Sequence, residues 1–460
     1  MFIRVNFLGD IMSQTPTNLA AGYSGYHSPQ RGASDELLVR TAPGTPCGEY
    51  LRRYWQPLAL ASELSDVPQL VRVLGEELVL FRDRSGRYGL VHRQCPHRRA
   101  SMEFGVCEDA GIRCCYHGWL FDVDGRILEI PGQPQNIADL VRRQTSLGAY
   151  PVREYRGLIF AYLGPIEAMP EFPVYDTLEI EGQTLVPYRA DYRCNWLQVL
   201  DAILDPIHTS FLHSRMSRAQ FSEGLGELGE LLFYEREMSF LGANVRRVGE
   251  HVWVRVNELV LPNYTQAGAA FSADGTRPIY YGRTAFARWV VPIDDENTTA
   301  FAWAIFGERA DPEAYNTPRG PELIEQGELM DRPYAERQRF PGDAEAVEGM
   351  GRIADQKLEH LVPSDKGIIQ YRKKLRKLCR DLEAGGEPAR VTDFWQNPIP
   401  TYGGDSVLHM PTQAGDDAAL LVDIGERVMQ IQFDAEALVG VERDRVVIEA
   451  MKAYEADFHG

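Results

Sequence analysis

Two short Cys/His pairs constrain this chain more than any other feature. They read Cys95-Pro-His97 and Cys114-Cys-Tyr-His117, with residues 98–113 between them. A proline or glycine sits near each pair, as a tight metal loop requires. Chance accounts poorly for two such pairs arising together. Strand-like segments flank them: QLVRVLGEELVLFRDRSGRYGLVHRQ, with a turn at Arg84-Ser85-Gly86, and WLFDVDGRILEI, with a turn at Asp124-Gly125. The expectation is two metal loops on a small β-scaffold.

The cysteines as a whole favour metal binding over disulfides. They stand at 47, 95, 107, 114, 115, 194 and 379, an odd number with one local cluster. The N-terminal MFIRVNFLGDIMSQTPTNLA does not read as a secretion signal, because its apolar stretch is short and broken by Asn6 and Asp10. Thiols in a chain without such a signal stay reduced. No apolar run approaches the ~20 residues of a membrane span. A net charge of −18 repels nucleic acid and anionic lipid. A cytoplasmic protein with neither partner is expected. Residues 1–34, rich in Ser, Gly, Pro and Gln, read as a poorly ordered extension, with Met12 a second plausible start.

Two metals compete for the first motif. A structural zinc site usually pairs Cys with Cys and His with His, whereas each pair here mixes them. A Rieske [2Fe–2S] cluster takes two Cys on one iron and two His on the other, so each mixed loop can reach both irons.

A second motif follows in NWLQVLDAILDPIHTSFLHS, Asn195 to Ser214. Its apolar residues recur at helical spacing, with Asp201, Asp205 and His208 on one face. His213 lies five residues after His208, about 140° away on an ideal helix. It joins the same site only if the helix bends or carries a π-turn. Two His with one carboxylate would make a facial iron triad with positions open for O2. The segment FPGDAEAVEGMGRIADQKLEHLVPSDKG offers Asp343, Glu345, Glu348, Asp355, Glu359 and Asp365 as the carboxylate.

Both motifs together resemble the oxygenase (alpha) subunit of Rieske non-haem iron ring-hydroxylating oxygenases. Their pattern is Cys-x-His, about 16 residues, then Cys-x-x-His and often Gly-Trp, matched here through Gly118-Trp119. Asp-x-x-His-x4-His follows, with His208 standing 91 residues after His117. The stretch GMGRIADQKLEHLVPSD resembles the phthalate-dioxygenase-like branch. The resemblance implies that Cys95, His97, Cys114 and His117 hold the cluster. Cys107 and Cys115 are then small buried residues. It also implies that His208 and His213 ligate Fe(II) and that Asp205 bridges the two centres for electron transfer. Asp343, with Glu348 after it, fits the family's third ligand, and Asp355 is the runner-up.

The same resemblance sets the expected architecture and chemistry. The fold class is α+β: an all-β Rieske domain over 35–165 and a catalytic domain over 166–460, an antiparallel sheet wrapped on helices in a helix-grip (START-like) arrangement. The segments between Phe233 and Phe306 read as successive antiparallel strands, and Asp444 onward as a helix. A head-to-tail homotrimer is implied, reduced by a separate NAD(P)H-dependent, ferredoxin-type reductase. The reaction would use O2 to mono- or dihydroxylate an aromatic, carboxylated compound, or to remove an O- or N-methyl group. A pure Rieske electron carrier is the alternative of another class, and it leaves His208 and His213 unexplained.

Other features read as background. GLGELG, Gly224 to Gly229, matches a dinucleotide fingerprint but precedes a strand, so it reads as a flexible loop near the substrate channel. YRKKLRKLCR, Tyr371 to Arg380, reads as a solvated helix face, and His360 as exposed. Arg309 to Pro341 reads as a long charged excursion. The pocket lining expected from alternation is Leu200, Phe211, Val256, Leu259, Tyr281 and Trp303, with Arg215 or Arg236 as partner for a substrate carboxylate.

Overall fold

Short strands with glycine turns dominate the N-terminal part of the computed structural model, which describes residues 22–216, 221–269, 273–311 and 332–459. Gln69–Val73, Glu76–Arg82, Tyr88–His92 and Ala149–Tyr150 form one antiparallel sheet. Gly86 makes its expected turn at φ 94°, while the Asp83 carboxylate takes the Ser85 hydroxyl and the Arg87 amide. Val106–Glu108, Gly111–Arg113, Leu120–Phe121 and Ile127–Glu129 form a second sheet, with Gly125 at its last turn. The first Cys/His loop follows Tyr88–His92 of one sheet, and the second joins Gly111–Arg113 to Leu120–Phe121 of the other. Val79, Phe81, Val91, Ile112 and Phe121 make the small core beneath them.

The C-terminal part is built on one nine-stranded antiparallel sheet. Its strands are β1 (Thr184–Tyr192), β2 (Glu230–Glu235), β3 (Ser239–Val248), β4 (His251–Val260), β5 (Tyr264–Ala267), β6 (Ile279–Arg283), β7 (Phe286–Asp294), β8 (Asn297–Phe306) and β9 (Gly404–His409). The main order is β1-β8-β7-β5-β4-β3-β2, with β9 pairing β4 and β6. The helices that matter are α1 (Trp196–Asp201), α2 (Pro206–Ser210), α3 (Asp343–Gly349), α4 (Lys366–Glu383), α5 (Asp417–Asp434) and α6 (Gly440–His459). Helices α5 and α6 cover one sheet face through Val245, Val254, Ile424, Val428 and Met451. The other face carries α1 and α2. This is the expected α+β architecture.

One large core joins the two parts, running from Leu38 and Tyr50 through Phe160 to Trp196, Phe240 and Trp289. The indole of Trp196 donates to Leu38 O at 3.0 Å, and the Asn195 amide to Val39 O at 2.9 Å. Residues 32–34 are not loose. Gly32 N and Lys357 N hydrogen-bond across to Asp355 and Ala33 respectively, so this end of the expected extension is tied down. Residues 1–21, and 312–331 of the charged excursion, lie outside the described residues; its end forms a helix at Tyr334–Arg339. No helix among the described residues is long and apolar enough to cross a membrane.

The basic segment 371–380 is not simply a wetted face. Tyr371, Arg372, Leu375 and Cys379 of α4 are buried. Arg372 is locked on Asp201 at 2.5 Å and on Glu359 at 2.5 Å. His360 is exposed, outside any helix.

Candidate active site

Backbone hydrogen bonds shape each cluster loop. Cys95 N donates to Ala100 O and Arg99 N to Cys95 O, both at 2.9 Å. Cys114 N donates to Trp119 O at 2.8 Å, and Gly118 N back to Cys114 O at 3.0 Å. Gly118 sits at φ 73°, where a side chain would be strained. Arg113 clamps this loop, donating to Gly118 O at 2.6 Å and pairing with Glu108 and Glu129. The loop tips meet: the His97 and His117 rings are 4.6 Å apart, and Trp119 stacks on His97 at 4.7 Å.

Cys95 and Cys114 are 1% and 3% exposed, while His97 is exposed and His117 half-buried. Burial, with Cys114 alongside, pushes the Cys95 thiol up to about 11. Two sulfurs inside and two imidazoles outside is the donor set of a [2Fe–2S] cluster of Rieske type. Cys107 is buried as expected, but Cys115 is exposed, because it follows Cys114 at the apex of an outward loop.

The second motif is not one helix. Pro206 lacks an amide hydrogen and disfavours helical backbone at Asp205, which is extended at φ −105°, ψ 95°. The segment therefore runs as α1, a 3-10 turn Ala202–Leu204, a break at Asp205, α2, and then a π-turn Phe211–Arg215. Asp205 is the N-cap of α2: its Oδ1 accepts from Ile207 N at 3.0 Å and His208 N at 3.3 Å. The π-turn, closed by Met216 N to Phe211 O at 2.8 Å, swings His213 to the side of His208. Their ring centroids are 5.3 Å apart.

Asp343, the first residue of α3, completes the group. Its Oδ1 lies 3.3 Å from His213 Nε2 and 3.7 Å from His208 Nε2. One atom from each of the three lies within 4.8 Å of the others, which suits a single metal ion. His208 Nδ1 meets Asp205 O at 2.5 Å, so the proton sits on Nδ1 and the Nε2 lone pair faces inward. Burial lowers the His208 imidazole, with Asp343 working against it. Burial would raise Asp343, but His213 and His208 outweigh it and hold the carboxyl below its usual range. Asp355 is elsewhere, accepting from Gly32 N, and Glu348 accepts from Arg193 N.

A cavity of about 880 Å³, open mouth included, lies over these three residues. Ala202, Ala267, Ala285 and Ala304 give it room, and Phe221, Phe286 and Phe306 wall it. Arg255, Asn257, Arg288 and Asp311 add polar groups that alternation did not single out. Among the expected lining residues, Leu200, Val256, Leu259, Tyr281 and Trp303 lie in the hydrophobic cores and Phe211 is exposed. Arg215 donates to Gly226 O, and Arg236 pairs with Glu436; neither lines the cavity. The Gly224–Gly229 loop is pinned: Leu225 O and Glu227 O accept from Arg246 and Ser210.

Residues 54–155 match the family model of the Rieske [2Fe-2S] domain. The chain is 39% identical to the tert-butanol monooxygenase / tert-amyl alcohol desaturase oxygenase subunit of Aquincola tertiaricarbonis, covering 94% of this chain and 96% of that one. It is 38% identical to the phenoxybenzoate dioxygenase alpha subunit of Ectopseudomonas oleovorans, covering 81% and 90%. In fold it is similar to the crystal structure of dicamba monooxygenase bound to dicamba, with a TM-score of 0.55, 16% identity, and coverage of 74% and 100%.

Proposed function

Since the chain belongs to the oxygenase subunits of Rieske non-haem iron oxygenases, we propose that Cys95, His97, Cys114 and His117 hold its [2Fe–2S] cluster and His208, His213 and Asp343 its mononuclear Fe(II), one of each per chain. The observation that carries this reading is the meeting of His208, His213 and Asp343 beneath an apolar cavity. When bound, the cluster supplies single electrons and the mononuclear iron activates O2 beside the substrate.

The protein's own groups prepare that chemistry. Asp205 O holds His208 in the tautomer that offers Nε2. The phenylalanine and alanine walls exclude water from the substrate. With Oδ1 of Asp205 spent on two amides, Oδ2 is left to accept from an imidazole. In the head-to-tail homotrimer that the reading takes, a cluster histidine of a neighbouring copy would supply that imidazole. Electrons enter from NAD(P)H through a separate ferredoxin-type reductase.

The substrate we infer is an aromatic compound, mono- or dihydroxylated, as the likeness to a phenoxybenzoate dioxygenase supports. The likeness to a tert-butanol monooxygenase over nearly the whole chain supports a second reading, single hydroxylation of a compact aliphatic group. Demethylation remains a variant of that chemistry, since a hydroxylated methyl on oxygen or nitrogen is lost as formaldehyde.

Iron and acid-labile sulfide on anaerobically purified protein test the assignment. About three Fe and two sulfide per chain, falling to about two and two in His213→Ala, are expected. Two Fe in both samples after Fe(II) reconstitution would remove the mononuclear site.

A further inference from the structure

We propose that Asn257 is a positioning residue for the iron site: its amide holds open the helix break that places Asp205 beside His208. The inference rests on the reading of His208 as an iron ligand. It adds a residue that acts on that ligand from the sheet.

The break strips one carbonyl of its backbone partner. Ile203 sits in the 3-10 turn Ala202–Leu204. In a continuing helix its oxygen accepts from the amide three or four residues on. Three on is Pro206, which has no amide hydrogen. Four on is Ile207, whose amide goes to Asp205 Oδ1 at 3.0 Å. Ile203 is 4% exposed, so bulk water does not serve it. A buried carbonyl still needs a donor. Among the described residues, the donor it receives is Asn257 Nδ2 at 3.1 Å. The proline that makes Asp205 an N-cap thus creates the vacancy that Asn257 fills.

Asn257 is buried on β4, a strand paired on both sides, so its amide is a fixed point. Arg255, two residues before it, spends its guanidinium on Gly268 O, Ala269 O and Asp405. On the upstream side of the turn, Arg372 of α4 holds Asp201 at 2.5 Å. The turn is therefore tied to α4 at its start and to the sheet at Ile203. Without the Asn257 donor, Ile203 O competes with Asp205 Oδ1 for the one Ile207 amide. Whenever the carbonyl wins, Asp205 loses part of its cap and its backbone shifts. That backbone carries the oxygen that meets His208 Nδ1 at 2.5 Å and sets the imidazole's orientation. One N–H on the sheet thus governs both the acid of the bridge and the pose of a proposed iron ligand.

A double-mutant cycle in urea separates positioning from plain packing. Asp205→Ala removes the cap, and the shift it causes in the urea midpoint is measured in wild type and in Asn257→Leu, at matched iron content. Acting through Asp205, Asn257→Leu should cut that shift to about half or less. Equal shifts in the two backgrounds overturn the proposal. Asn257→Ala, a milder change, runs through the same cycle and keeps the test open where the leucine variant does not fold. The second readout is spectroscopic. Nitric oxide is added anaerobically to the iron-loaded protein, and the EPR signal of its Fe(II) adduct is recorded. The g-values should move in Asn257→Leu while the EPR spectrum of the reduced [2Fe–2S] cluster stays as in wild type. An unchanged adduct signal from a folded, iron-loaded variant also overturns the proposal. Absence of any adduct signal from wild type would fall on the metal assignment instead, and the urea cycle would still decide the role of Asn257.

Discussion

Asp205 does two things with one side chain: it caps α2 and stands beside His208, a proposed iron ligand. The two roles separate by substitution. Asn caps as well as Asp, so Asp205→Asn should keep both metal centres and nearly full stability. With the charge gone, reoxidation of the reduced cluster by O2 and substrate should slow at least about tenfold, read by stopped-flow absorbance. Asp205→Ala should show the same slowing and lose about 1 kcal/mol as well. An Asn variant that reoxidises at the wild-type rate would remove Asp205 from the electron path. At this scale the sequence was most legible where the residues that meet are close neighbours, as in Cys95-Pro-His97. Arg255 and Asn257 were not legible. Period-two alternation says which residues share a face, but not which face looks into a cavity until the strand order is known.

Elements bring His208 and His213 together by two local departures from regular helix. The five-residue gap between His208 and His213 demanded a bend or a π-turn, and the π-turn at Phe211–Arg215 meets that demand. The break at Asp205-Pro206 follows from the proline, which overrides the apolar periodicity of the segment. The second support comes from far along the chain. Gln198 of α1 donates to Val347 O at 2.8 Å and Gly351 O at 3.1 Å, and accepts from Ala354 N at 2.9 Å. It therefore holds the end of α3, the helix that begins with Asp343. No pattern in the sequence links these residues, because the contact spans about 150 positions and uses backbone atoms. Gln198→Leu leaves those buried backbone groups unpaired and should cost about 2–3 kcal/mol in urea unfolding. Fe(II) should also leave the variant faster on chelation, while the visible cluster spectrum persists.

Across the whole molecule, Asp176 ties distant segments. Its buried carboxylate accepts from Arg443 of α6 at 2.5 Å, Arg283 of β6 at 2.7 Å and Thr401 Oγ1 at 2.6 Å. Burial would raise Asp176, but Arg283 and Arg443 outweigh it and hold it below its usual range. A carboxyl depressed on folding stabilises above its unfolded value of about 3.9, and that contribution is lost as pH falls through the lower folded value. Asp176→Asn should therefore cost about 3–5 kcal/mol at neutral pH, by leaving buried Arg443 without its carboxylate and Arg283 with Asp444 alone. The gap between its urea midpoint and the wild type's should narrow below about pH 4. The α+β architecture was legible because strands and turns carry local signals. The single core joining both parts was not, since it depends on packing between residues such as Leu38 and Trp196. The spread of the iron ligands also sets an order of events during synthesis. All four proposed cluster ligands lie between positions 95 and 117, whereas Asp343 is translated 130 residues after His213. At about 5–20 residues per second that interval is on the order of ten seconds. A nascent chain can thus be armed to take up its cluster while the proposed iron pocket still lacks the carboxylate that would close it.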